Sequence, residues 1–94
     1  MLEVDDGARQ ALVNKGSSLL PVGITDVQGS FVRGDIVDIK DSTGYLFARG
    51  RAEASSAEMS LARGRSKAEL EHNELLEHLS SRPAVHRDEL VVFE

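Results

Sequence analysis

The chain has no cysteine and no tryptophan, two prolines and four aromatic residues among 94. Without cysteine there is neither a disulfide framework nor a thiolate metal site. That fits a reducing cytoplasm, and the cytoplasm is the expected location. No apolar run approaches the roughly 20 residues that span a bilayer, and the acidic start is unlike a signal peptide, so no membrane partner is expected. Positive charge is also in short supply. Eleven Lys and Arg face sixteen Asp and Glu, for a net charge of −5. Strong nucleic-acid binders cluster Lys and Arg against phosphates, and this balance argues against one.

What is present reads as one small domain over residues 1–94. A chain this short buries about 60–65% of its unfolded surface, which is enough for one modest core. Hydrophobic residues make up 40% and charged residues 29%, as in ordinary globular domains. "LEV" at Leu2–Val4 predicts a short strand. "DDGARQALVNKG" predicts a helix capped by Asp6, burying Ala8, Ala11 and Leu12, and closed by Lys15 and Gly16. "VGITDV", "DIVDIK" and "YLFARGR" predict strands, the last two joined by the turn "DSTG". Ser55 with Glu58 and Ser66 with Glu69 match the capping box, so two helices are expected, the second over Lys67–Leu79. Pro83 bars its continuation, and "ELVVF" predicts a buried final strand. No fold-level repeat is visible.

Chemical motifs fail one by one. Gly29 and Gly34 have the spacing of a phosphate-binding loop, but Asp35 and Ile36 stand where Lys and Ser or Thr are required. A carboxylate there would repel the phosphates. "HRD" at His86–Asp88 needs an Asn five residues after the Asp, and Phe93 is there instead. His72 and His78 are six apart, which points them in different directions on a helix, and no metal is expected. None of the serines sits in a G-x-S-x-G elbow, and capping accounts for several. Arg49 and Arg51, with Arg63, Arg65 and Lys67, could form a small positive patch, though the aromatics needed for base stacking are few.

The succession "VDDGARQAL", "KGSSLLPVGITDVQGSFVRGD", "ARG", "RGRSKAEL" and "VHRDELVV" closely resembles the C-terminal PUA domain of bacterial glutamate 5-kinases, from about Leu2 to Phe93. The resemblance implies an α+β fold: a pseudo-barrel of mixed strands, a packed N-terminal helix, and one or two helices before the last strand. In that fold Gly23, Gly29 and Gly34 are corners, with Leu19, Leu20, Ile24, Val27 and Phe31 in the core. It also implies a parent enzyme that phosphorylates L-glutamate in the first step of proline synthesis. There ATP and Mg belong to an N-terminal amino-acid-kinase domain. The present chain is then an excised, non-catalytic module with no catalytic residue, metal or cofactor of its own, serving assembly or regulation. Its implied partners are that kinase domain, further copies of itself, or structured RNA as in RNA-modifying relatives. The positions matching RNA contacts in those relatives are Lys15, Gly16, Ser17, Ser18, Gly23 and Arg87.

Overall fold

Strands form where apolar and polar residues alternate, because successive side chains point to opposite faces. The computed structural model describes residues 1–93, and Glu94 lies outside the described residues. The elements run β1 (Leu2–Val4), α1 (Asp6–Lys15), a 3₁₀ turn (Pro21–Gly23), β2 (Ile24–Val27), β3 (Ile36–Lys40), β4 (Leu46–Ala52), α2 (Ser56–Ala62), α3 (Lys67–Glu71), a 3₁₀ turn (Glu77–Leu79) and β5 (Val85–Val92). The sheet order is β2-β1-β3-β4-β5. β1 and β3 are parallel and the other neighbours antiparallel, so the strands are mixed as expected.

The sheet curls into a pseudo-barrel because the segment after α1 joins its two edges. Leu19 forms a bridge with Val85 of β5, its N–H donating to the Val85 carbonyl at 2.9 Å. Five residues later, at Ile24, the same segment, now β2, begins to pair with β1. Side chains from every strand meet inside: Leu2, Val4, Ile24, Ile39, Phe47 and Val85 are all buried. Leu12 of α1, Met59 of α2 and Leu70 of α3 close over the same core.

Local chemistry sets the boundaries. Asp5, one residue before the expected cap, starts α1; its Oδ1 accepts from the Ala8 N–H at 2.7 Å. Asp5 wins over Asp6 because its own N–H is tied to the Gly23 carbonyl at 3.0 Å, which fixes an extended backbone there. Both capping boxes are complete, at Ser55–Glu58 and Ser66–Glu69. Gly29 and Gly34 turn the chain at φ 80° and 98°, values that glycine adopts without strain. Just after them the Asp35 carboxylate accepts from the Val32 N–H at 3.0 Å, so the loop closes on itself instead of around a phosphate. Ser56 clamps this corner to α2: its hydroxyl oxygen accepts from the Phe31 N–H at 3.1 Å.

Four expectations need correction. Leu20 is not core but 54% exposed, since Pro21 begins a 3₁₀ turn that swings it outward. Gly23 does end the turn before β2, but without a positive φ; a Cβ there would lie 2.6 Å from the Ala8 Cβ, so it is glycine to let α1 pack against it rather than to free the backbone. The second helix does not reach Leu79. It stops at Glu71, Asn73 accepts from the Leu75 N–H at 3.0 Å, and the chain resumes in a 3₁₀ turn. The final strand begins earlier, at Val85, and is a largely exposed edge rather than a buried strand. Between its pairings Gly50–Leu90 and Ala52–Val85, one β4 residue faces four of β5, so His86–Glu89 bulge outward.

Candidate functional site

An open concavity follows from the small residues of α1. Gly7, Ala8 and Ala11 present little bulk, and with Ser17, Ser18 and Gly23 opposite they leave an open groove of about 310 Å³. Leu20 and Val22, both about half exposed, form its outer wall. Asp5 stands at one end with its Oδ1 already occupied as the α1 cap. No Lys or Arg lines it.

Of the six expected contact positions, Ser17, Ser18 and Gly23 therefore come together here. Arg87 reaches the same place through its main chain, its N–H donating to Ser18 Oγ at 2.8 Å across the bulge of β5. Lys15 and Gly16 end α1 outside the lining. Leu20 and Val22 were missed as wall residues. The only available signal was the Leu-Pro-Val run, in which the proline turns both neighbours out of the strand.

The expected positive patch is split by pairing. Arg49 Nε meets Asp38 at 2.7 Å and Arg51 Nε meets Glu89 at 2.9 Å, so that half is neutralised on the sheet surface. Arg63 and Arg65 instead donate to main-chain carbonyls, of Thr25 at 2.7 Å and Leu61 at 2.8 Å. His72 and His78 do not converge: His78 Nε2 sits 2.8 Å from Glu58. Among the described residues no group of three or more His, Cys, Asp or Glu could hold a metal ion. Nor is any described helix long and apolar enough to cross a membrane.

Two carboxylates are tuned by their neighbours. Asp41 is held below the usual carboxylate range, chiefly by the Thr43 hydroxyl donating at 2.6 Å, then by the N–H groups of Tyr45 and Thr43 and by Arg9. Arg9 approaches Asp41 at 3.3 Å without a hydrogen-bond geometry, so that contact is a charge contact. Glu58 is pushed down to about 2 by the His78 ring first and the Ser55 N–H next. A carboxyl lowered on folding stabilises the fold above its unfolded value of 4.5, and that contribution is lost as pH falls through about 2. Urea midpoints measured between those pH values should fall with acidity, and Glu58→Gln should flatten the fall. An unchanged slope in the variant would remove Glu58 from the account.

The sequence profile of the PUA domain matches residues 1–73. The chain belongs to the PUA domain family. A PUA domain from Aeropyrum pernix K1, solved as a tartrate complex, superposes with a TM-score of 0.65 at 31% identity, over 92% of this chain and 40% of that one. A conserved PUA domain protein from Thermoplasma acidophilum gives 0.60 at 34% identity, over 83% of this chain and 53% of that one. Among curated relatives, the glutamate 5-kinase of Syntrophotalea carbinolica is 46% identical over 97% of this chain. The glutamate 5-kinase of Trichlorobacter lovleyi is 49% identical over 95%. The chain spans only 24% and 23% of those two enzymes. The PUA resemblance is thus correct, and Gly29 and Gly34 lie in the turns between strands of a PUA domain.

Proposed function

We propose that this PUA chain is the non-catalytic module of a glutamate 5-kinase, the enzyme that transfers the γ-phosphate of ATP to the side-chain carboxylate of L-glutamate. The observation that carries the reading is the 46% identity over 97% of the chain against 24% of the relative. A match of that kind is what a module of a larger enzyme gives. The catalytic work, with its ATP and Mg, belongs to the amino-acid-kinase domain, which is this module's first partner. The module serves assembly or regulation of that domain. The reading puts the chain in the cytoplasm, where ATP and L-glutamate meet.

RNA binding through Lys15, Gly16, Ser17, Ser18, Gly23 and Arg87 is opposed by charge. The groove where Ser17, Ser18 and Gly23 meet is lined by a carboxylate and no cation, while RNA affinity comes from cations on phosphates.

A domain exchange tests the proposal. The chain replaces the matching segment of the Syntrophotalea carbinolica enzyme, and glutamate-dependent ADP release is measured. The chimera should keep kcat within about tenfold of the natural enzyme, a change of about 1.4 kcal/mol in barrier. A chimera that melts cooperatively yet loses turnover entirely would refute the reading. So would tight, steeply salt-dependent binding of a hairpin RNA by the chain that Lys15→Glu with Arg87→Glu abolishes.

A further inference from the structure

Beside Pro21 this acidic chain gathers three cations, two of which meet no carboxylate within 4 Å among the described residues. Arg9, Arg33, Arg49 and Arg51 each face a carboxylate within 4 Å. Around Pro21 the pattern differs. The Gly64 N–H donates to the Pro21 carbonyl at 2.9 Å, which docks the turn after α2 against the 3₁₀ turn Pro21–Gly23. This brings Arg65 and Lys67 beside Arg82, and the three line a hollow of about 80 Å³.

Their partners leave the charge available. Arg65 Nε donates to the Leu61 carbonyl, a neutral acceptor, at 2.8 Å. Lys67 reaches only Glu71, at 4.0 Å and well exposed. Arg82, half-buried, meets no carboxylate within 4 Å among the described residues. Three cations held around one hollow repel each other, and the group that relieves that repulsion is an anion. Guanidinium forks suit the two oxygens of a carboxylate or phosphate.

Size and surroundings narrow the class. A hollow of about 80 Å³ is small, of a size for an oxyanion head rather than a nucleotide. The floor is apolar, with Leu70 and Leu79, and the exposed Leu20 and Val22 continue it outward. No aromatic residue lines it, so nothing there stacks on a nucleobase.

We propose that this hollow binds the oxyanion head, a carboxylate or a phosphate, of a small amphipathic molecule. Arg65, Lys67 and Arg82 surround the head, and a short alkyl stem lies over Leu20 and Val22. The inference is independent of the parent enzyme.

Chemical-shift titration of the 94-residue chain with hexanoate and with hexyl phosphate tests it, with hexanol and inorganic phosphate as controls. The two anions should saturably move the Leu20, Val22, Leu70 and Leu79 methyls and the Arg65 and Arg82 Nε–H signals; the tighter of the two identifies the head group. Arg65→Gln with Arg82→Gln should weaken binding about tenfold or more, as loss of charge-assisted bonds requires. Should that pair fail to fold, Lys67→Gln alone, at an exposed position, should weaken it about threefold. Equal binding of hexanol, binding of inorganic phosphate as tight as hexyl phosphate, or anion binding indifferent to Lys67→Gln would each overturn the proposal. So would absence of saturable shifts, or a hairpin RNA that fills the hollow more tightly than either anion.

Discussion

Phe47→Ala should destabilise the domain by about 3–5 kcal/mol, the usual cost of emptying a fully buried phenylalanine site. Phe47 lies in β4, at the middle of the interior shared by the strands and α1. One face of its ring carries the Arg9 guanidinium, 5.5 Å from the centroid, and Arg9 is held in turn by Asp41 at 3.3 Å. Its carbonyl accepts from the Phe93 N–H at 2.8 Å, anchoring the end of the edge strand. Truncation therefore removes packing from the core and the surface on which Arg9 rests. The whole fold is worth about 5–15 kcal/mol, so the loss is a large fraction of it. The thermal midpoint should drop by roughly 12–40 °C at 4–8 °C per kcal/mol. Urea unfolding with an unchanged slope would confirm that the native state, not the cooperativity, has changed. A loss under about 1 kcal/mol would be a surface-substitution value, inconsistent with a buried ring.

Gly50→Val should cost about 3 kcal/mol, near the upper end for overpacking. A Cβ at Gly50 would lie 2.5 Å from Val85 Cγ1 and 2.9 Å from the Glu89 carbonyl oxygen. Val85 could yield by rotating, but Glu89 O is backbone at the end of the β5 bulge, and its retreat would open the β4–β5 ladder. The expected damage is steric, since Gly50 does not have a positive φ. Gly44→Ala is the contrast: φ is 88° with no atom within 4 Å of the new Cβ, so only the conformational cost of about 1 kcal/mol applies. Equal melting losses in the two variants would contradict the close β4–β5 approach.

These two sites mark what the sequence could and could not disclose. Features decided within four residues were legible: both capping boxes, the Asp41–Gly44 turn, the alternation of Val37 and Ile39 with Asp38 and Lys40. The β-rich middle and its glycine corners at Gly29 and Gly34 were legible for the same reason. Contacts between distant segments were not. Gly23 and Gly50 are glycine because Ala8 and Val85 press on them, and neither pressure leaves a local trace. The bridge from Leu19 to Val85 that closes the barrel, and the place of β5 at the end of the sheet with its bulge, depend on pairings no periodicity reports. The break in the second helix did leave a signal that was overlooked. Asn73 is a residue that bonds its own main chain and ends helices, and here it does so.

The candidate site divides likewise. Ser17, Ser18 and Gly23 follow from their place after the first helix and do line the groove. The charge of that groove depends on where Lys15 and Arg87 are carried, and neither side chain lines it. Arg82 joins Arg65 and Lys67 only because the chain doubles back through the turn at Glu77–Leu79.

Gly16–Asp35 builds the corners and one strand of a PUA sheet, and the chain alone should perform no phosphoryl transfer. Incubating the isolated chain with ATP, Mg and L-glutamate and following ADP release tests this directly. No rate above the protein-free blank is expected at any chain concentration. A glutamate-dependent rate that grows in proportion to the chain and survives repurification would contradict the account.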